Sequence, residues 1–386
     1  MNTATTTREP LPRGFWVIWS TVALDMIGFG IVAPILGRYA DRFGASGFQV
    51  GLLFASFSLA QMIFAPILGR WSDRVGRKPV IVISLFGTAL GSFITGAAGA
   101  LWVLFAGRLI DGASGASVSV AQSAITDLAT KEQRARMLGL LGMAFGVGFV
   151  FGPAIGGLAA LGGPHIPFYV AGTLALINAV AAIIRLQETR VPNKAAPTTR
   201  VHVPFRKRRY GALAGVGFFS MLAFSGFEAT FSLFGGARFN LTEASTAVVF
   251  LGVGVVMSAV QGSLIGPLTS RFGSLHLLRN GLVFVSIGLL FLGAAVIWPT
   301  MIVALLFMVV GAGISNPSLT ALVADSAHED RRGEALGIQQ SASALARVIG
   351  PPLAGLAFDH VGIGAPFTFG ALIYVLAIGI AFRKLK

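Results

Sequence analysis

Hydrophobic residues run along this chain in long blocks, separated by short polar segments that carry most of the Arg and Lys. Twelve blocks lie near 15–37, 48–68, 79–98, 101–126, 137–161, 166–184, 210–235, 245–268, 275–296, 299–324, 334–357 and 362–382. Each approaches or exceeds the ~20 apolar residues that cross a bilayer as a helix. The pattern predicts an all-α membrane protein with 12 transmembrane helices. The first fifteen residues (MNTATTTREPLPRGF) lack the charged, apolar and small-residue order of a cleavable signal, so the first span is expected to be retained.

The longest polar interruption, 185–209 (RLQETRVPNKAAPTTRVHVPFRKRR), is rich in Pro, Thr and Arg and reads as a linker. It divides the chain into an N-terminal six-helix bundle, 1–184, and a C-terminal one, 210–386. Sliding the second half against the first by about 198 residues aligns LDMIGFG (24–30) with LAFSGFE (222–228), and DLATKEQRARMLG (127–139) with DSAHEDRRGEALG (325–337). It also aligns GPAIGG (152–157) with GPPLAG (350–355) and, one residue away, GRWSDRVGR (69–77) with GPLTSRFGS (266–274). Four landmarks in one order indicate an internal duplication, two pseudo-symmetric bundles with a substrate site expected near the midplane where they meet. The copies differ where charge is concerned. Asp25, Asp73, Arg77 and Arg108 fall on Ala223, Ser270, Ser274 and Leu306, whereas Glu228 and Arg347 fall on Gly30 and Phe149.

Composition agrees with the blocks: 55% hydrophobic, 11% charged and a mean hydropathy of +0.79 exclude a water-soluble fold. The 50 glycines suit helices packed closely in lipid, and the absence of Cys removes disulfides, thiolate metal ligands and cysteine nucleophiles. A net charge of +14 could indicate a nucleic-acid partner, but its placement says otherwise. With the N-terminus inside, 24 of the 29 Lys and Arg fall in cytoplasmic segments, three outside and two within spans. That bias orients both termini toward the cytoplasm, makes the charge a belt facing anionic lipid, and gives no basic patch interleaved with aromatics for nucleic acid.

Five charges remain inside the apolar blocks away from their ends: Asp25 in the first span, Arg108 and Asp111 in the fourth, Glu228 in the seventh and Arg347 in the eleventh. Unpaired at helix centres they would cost on the order of 12 to 17 kcal/mol together, so they must face a polar cavity or one another. Arg108 and Asp111, three apart, share a helix face and can pair, either as a static lock or as part of the working site. Asp25 lies about ten residues into its span, near mid-bilayer, where a buried carboxyl can take up and release a proton or simply hydrogen-bond to backbone. Glu228 is a second proton candidate or a polar wall group, and Arg347 a counter-charge or a helix tie.

The segment Gly69-Arg70-Trp71-Ser72-Asp73-Arg74-Val75-Gly76-Arg77-Lys78-Pro79 joins the second and third spans. Its glycines permit a tight turn, Asp73 can cap a helix N-terminus, and Arg77 can pair with an acid. Here the chain resembles the major facilitator superfamily, whose members carry G-x-x-x-D-R-x-G-R-[RK] in this loop. The resemblance implies a cytoplasmic gate made of Gly69, Asp73, Arg74, Gly76, Arg77, Lys78 and Asp127. Asp73 would dock at the start of the eleventh span and Arg77 would meet Asp127, closing the cytoplasmic side in the outward-facing state. In the fifth span Gly148, Gly152, Pro153, Gly156 and Gly157 match the G-x-x-x-G-P-x-x-G-G antiporter motif of exporters that exchange substrate for protons. Its glycines offer a flat face for a sliding helix, and its proline frees a carbonyl. The Arg108-to-Gly115 stretch, Asp25-Met26-Ile27-Gly28, Pro34 and GPHIPFYVAGTLALINAV ending in Glu188-Thr189 are most similar to the tetracycline-efflux-like branch of the 12-span drug:proton antiporters. The second half departs from the loop pattern at Ser270 and Ser274.

Other chemistries lack their signatures. There is no Walker A phosphate loop, G-x-G runs lie within apolar spans, and His165, His202, His276, His328 and His360 are scattered over loops without metal spacing. No enzyme activity, cofactor or metal is therefore expected. The residues and the resemblance together imply a monomeric, proton-coupled exporter of lipophilic or amphiphilic small molecules in the cell membrane. Asp25, Arg108, Asp111 and Glu228 would carry the proton, and Asp25, Gln61, Gln122, Asn178, Glu228, Gln261, Asn316 and Arg347 would line the cavity. The alternative is a lipid, sugar or metabolite transporter of the same fold, including an uncoupled facilitator.

Overall fold

The computed structural model describes residues 11–190, 208–326 and 332–385. Outside them lie the first ten residues, most of the expected linker (191–207), His202, and the 327–331 stretch with His328 in the second copy of the 127–139 landmark. The described chain is helical, without strands.

The first half comprises α1 (Arg13–Asp41), α2 (Gly47–Val75), α3 (Arg77–Gly96), α4 (Leu101–Ser114), α5 (Ser117–Leu128), α6 (Lys131–Ala160) and α7 (Ile166–Arg185). The second comprises α8 (Arg208–Phe239), α9 (Glu243–Ala259), α10 (Ile265–Phe272), α11 (Ser274–Ala294), α12 (Trp298–Asp325), α13 (Arg332–His360) and α14 (Ala365–Arg383). Eleven helical stretches are long and apolar enough to span a bilayer without interruption. The twelfth span is α4 and α5 together. Helix starts follow local sequence: Ser46 and Gln49 form a capping box on α2, Thr242 and Ser245 one on α9, and Thr130 caps α6.

Two spans differ from the continuous helices that the apolar blocks predict. The fourth breaks at Gly115 and Ala116, and the eighth passes through a π-helical turn, Val260–Leu264, between α9 and α10. The apolar pattern registers neither, because the long apolar runs on either side carry each block through short stretches of small and polar residues, GASGAS and VQGSL, where the backbone changes its hydrogen-bond register.

The duplication is visible in atomic contacts. On α3, a Cβ at Gly91 would meet the Gly107 carbonyl at 2.7 Å and the Asp111 N at 2.9 Å. On α11, a Cβ at Gly288 would meet the Ala304 carbonyl at 2.7 Å and the Met308 N at 2.5 Å. The structural counterpart of Asp111 is thus Met308 and that of Arg108 is Leu305, one residue from the Leu306 that a uniform 198-residue offset gives.

The two faces are distinguished here as the terminal face, which bears Leu11 and Leu385, and the far face, which bears the α1–α2 turn. The halves meet through two related crossings. A Cβ at Gly51 of α2 would lie 2.3 Å from the Pro351 carbonyl of α13, and one at Gly254 of α9 would lie 2.2 Å from the Phe149 carbonyl of α6. Only residues without a side chain allow such backbone approach. Gly47 meets Gly355, and Gly157 meets Ala247, farther toward the far face. Among the described residues the close glycine contacts and ion pairs between halves lie from the midplane to the far face. Toward the terminal face, Gln261, Ser263, Gln340, Ser341 and Arg347 are exposed on the same helices.

Candidate functional site

The break in the fourth span positions the site. At Gly115 the helix leaves regular geometry, and the freed Gly115 carbonyl accepts a hydrogen bond from Gln61 Nε2 at 2.9 Å. Gln61 therefore serves as a backbone partner across α2 and the break, which consumes the donor expected to meet substrate. One residue beyond Ala116, the Ser117 hydroxyl donates to Asp25 Oδ2 at 2.5 Å, joining α5 to α1. Ser117 carries no signal in the sequence pattern and was not among the residues the sequence singles out.

On the preceding half-helix, Arg108 Nη1 donates to Asp111 Oδ2 at 2.8 Å, and the guanidinium stacks 4.2 Å from the centre of the Phe57 ring. Arg108 is 4% exposed, so the pair and the ring stand in for the hydration it has lost. Thr88 on α3 hydrogen-bonds Asp111. Asp25 lies within electrostatic reach of Asp111, and Glu228 within reach of both Arg108 and Arg347. The five membrane charges thus form one chain of neighbours running from α1 through α4 to α8 and α13. Arg347 is exposed, its Nε 3.5 Å from Met221 Sδ.

The remaining polar candidates divide. Gln122, Gln261 and Asn316 are exposed on α5, the π turn and α12. Asn178 is not in the cavity: it is 1% exposed, and its Nδ2 donates to the Thr21 carbonyl at 2.8 Å, tying α7 to α1. The sixth span packs on the outside of its bundle, so a polar residue there meets a neighbouring helix. Asn178→Ala is expected to cost about 0.5–1.5 kcal/mol through the lost hydrogen bond, since the Thr21 carbonyl keeps its helical partner within α1, read as a lower thermal midpoint in detergent.

At the terminal face, Arg77 Nε donates to Asp127 Oδ2 at 2.9 Å, Arg77 Nη1 lies 2.6 Å from Asp73 Oδ1, and Ser72 Oγ accepts from Nη1 at 2.7 Å. Asp73 pairs with Arg77, and its side chain is 59% exposed. The side chains at the start of α13, where the resemblance docks Asp73, lie outside the described residues, and Gly69, Arg74 and Gly76 complete the α2–α3 turn. Gly76 (φ 110°) could not carry a side chain, since a Cβ would fall 2.3 Å from Glu188 Oε2. Glu188 accepts from the backbone N–H groups of Arg77, Lys78, Thr189 and Arg190, at 2.8–3.1 Å, and Lys78 Nζ donates to the Ile183 carbonyl. Partial burial pushes the Glu188 carboxyl up, but the four N–H donors outweigh it and hold it below its ordinary 4.5. Its contribution is thus complete above about pH 4.5 and lost as pH falls through the lowered value. Glu188→Ala should lower stability at pH 7 by about 1 kcal/mol, screened by its exposure, and the difference from wild type should shrink in acid.

The far face carries a lock that the sequence pattern does not reveal. Arg42 Nε donates to Glu243 Oε1 at 2.7 Å across the two halves. Asp359, at the end of α13, accepts from the backbone N–H of Gly47 and of Phe48, both at 2.8 Å, and so caps α2. The antiporter-motif glycines divide between neighbours: Gly148, Gly152 and Gly156 face α1, Gly157 faces α9, and Pro153 is buried.

Two closely fitted bundles with charges at their midplane suit a carrier, and comparison with known proteins decides its family. The sequence profile of the Major Facilitator Superfamily matches residues 18–295 and 262–386. The chain belongs to that superfamily. This superfamily chain is 30% identical over 376 residues to the tetracycline resistance protein, class C, of Escherichia coli, covering 94% of each chain. It is 30% identical over 371 residues to multidrug resistance protein 1 of Bacillus subtilis, covering 95% of this chain and 94% of that one. Its fold is shared with a point mutant of the nucleoside transporter NupG (TM-score 0.80, 13% identity, 97% of this chain and 100% of that one). The same holds for an inward-facing bacterial homologue of the human lysosomal transporter Spinster (TM-score 0.79, 15% identity, 95% of each chain). The superfamily member described here is a multi-pass membrane transporter, not an enzyme.

Proposed function

We propose that the protein exports lipophilic or amphiphilic small molecules in exchange for protons, by alternating access to a site at the midplane. The observation that carries this reading is the chain of five charges, with the Asp25 carboxylate hydrogen-bonded to Ser117 at the break of the fourth span. A carboxylate held at mid-bilayer at such cost is suited to bind a proton from one side and release it to the other. Aromatic walls such as Phe29 and Phe57, whose rings lie 6.2 Å apart, suit cargo held by few directional bonds. The names of the relatives, tetracycline and multidrug resistance proteins, favour drug-like cargo.

The distribution of Lys and Arg supports a cytoplasmic-membrane protein with both termini in the cytoplasm, working as a monomer in contact with anionic lipid. In that orientation the terminal face is cytoplasmic, and the Arg42–Glu243 and Asp359 contacts close the outside. Cycling requires those contacts to part and the Asp73–Arg77–Asp127 cluster to rearrange. Protonation and cargo would each favour a different state of this equilibrium.

Proteoliposomes with an imposed pH gradient test the reading, using ethidium and tetracycline as probes. Accumulation of either against its gradient, collapsed by a proton ionophore, is expected. Equilibration without accumulation would indicate a facilitator and overturn the proposed coupling.

A further inference from the structure

Serine hydroxyls in the helices of this protein mostly bond backward along their own helix. Ser56, Ser72, Ser119, Ser123, Ser318 and Ser341 each donate to the carbonyl three or four residues earlier. Ser117 departs from this habit for a local reason. Its four-back acceptor would be Ala113, which lies on the other side of the break. The Ser114 carbonyl, three back, is turned by the break toward the Ala116 N–H, 2.8 Å away. Ser117 is 4% exposed, so the hydroxyl has no bulk water to turn to, and it crosses to Asp25.

We infer that Ser117 is a positioning residue for the proton at Asp25: its hydroxyl fastens α5 to α1 when that carboxylate is ionised and loosens its hold when the carboxylate is protonated. This rests on the proposed role of Asp25 in coupling. The physical basis is that a hydrogen bond to a charged acceptor is roughly twice as strong as one between neutral groups. The proton arrives at a carboxylate oxygen of Asp25 and no other bond is made or broken. Its effect is transmitted to the half-helix α5, whose other end carries Asp127 in the terminal-face cluster. Gln61 holds the Gly115 carbonyl and so keeps the break, and with it the placement of Ser117, in being.

The groups around Asp25 leave the assignment distinct. Within electrostatic reach, α4 brings Arg108 and Asp111, which pair with each other, and α8, packed against α1, brings Glu228. Asn178 of α7 is engaged by Thr21, α6 presents glycines at Met26 and Gly30, and Glu243 of α9 pairs with Arg42 at the far face. Among the described residues, Ser117 is the side chain that hydrogen-bonds the Asp25 carboxylate.

The test is pH-difference infrared spectroscopy of the full chain in liposomes. It follows the carboxylic-acid C=O band that disappears in Asp25→Asn, so no substrate is needed. Ser117→Ala should move the midpoint of that band about one unit to higher pH, because the charged form loses a donor. Ser117→Thr, which restores a hydroxyl, should return it close to wild type. Gln61→Leu, which releases the break without touching either partner, should shift the midpoint in the same direction as Ser117→Ala. A wild-type midpoint in Ser117→Ala, or equal shifts in Ser117→Ala and Ser117→Thr, overturns the inference. If Ser117→Ala does not fold, the Thr and Leu variants decide it. Because the band reports Asp25 alone, a failure of pH-driven accumulation in the wild type would remove the export reading without moving this result.

Discussion

Asp25→Asn protein in sealed vesicles is expected to accumulate no more ethidium or tetracycline under a pH gradient than empty vesicles do. The substitution is nearly isosteric and keeps an oxygen for the Ser117 hydroxyl, so the α1–α5 junction survives. What it removes is the group that can gain or lose a proton at mid-bilayer. Facilitated exchange of cargo down its own gradient should persist, since Arg108, Asp111 and Phe57 are untouched. Thermal stability should be at or above wild type, because a neutral amide replaces a carboxylate desolvated at some cost. Undiminished pH-driven accumulation by this variant would show that Asp25 is a structural acid and place the coupling elsewhere in the charge chain.

Gly355→Val should trap the opposite face. A Cβ at this position would fall 2.1 Å from the Gly47 carbonyl, against backbone at the capped start of α2 rather than a side chain that can swing away. Relief requires α13 to withdraw from α2, which also strips Asp359 from the Gly47 and Phe48 N–H groups. Overpacking of this kind costs about 1–3 kcal/mol, enough to change the ratio of the two states about 5- to 150-fold. Because the chain has no native Cys, spin labels can be placed without background removal. Leu161 and Val361, exposed at the far ends of α6 and α13, make a suitable pair. Their distance distribution should shift to longer values in Gly355→Val, with cargo transport abolished in either direction. An unchanged distribution would show that the far-face crossing can relax without opening.

Spans, duplication and the list of membrane charges were legible because each follows from a rule that acts along the chain. Apolar length sets the crossings, and the cost of a buried ion makes Asp25, Arg108, Asp111, Glu228 and Arg347 conspicuous wherever they fall. The pairing of Arg108 with Asp111 was readable from three-residue spacing on one helix. Illegible were the partners that come from elsewhere. Ser117 is one serine among several, and it becomes special only once the helix breaks beside it. Glu188 looks like the polar end of a span until its carboxylate is seen against the start of α3. Asp359, Arg42 and Glu243 sit at helix ends, where charge is unremarkable, and acquire meaning from the opposite half. Asn178 errs the other way: a polar residue in an apolar block suggests a cavity, but its neighbour is the Thr21 carbonyl.

The crossing of Gly51 over Pro351 has a mechanical consequence. It sits four residues from the far end of α2 but 24 residues from Val75 at the other end. At about 1.5 Å per residue these are arms of roughly 6 Å and 36 Å. If α2 turns as a stiff rod on that fulcrum, a gap of about 1 Å at the Asp359 cap corresponds to a sweep of about 6 Å at the terminal face. The molecule is geared. A slight parting of its lock accompanies a wide swing of its mouth, so cargo would meet a broad vestibule on one side and a narrow slit on the other.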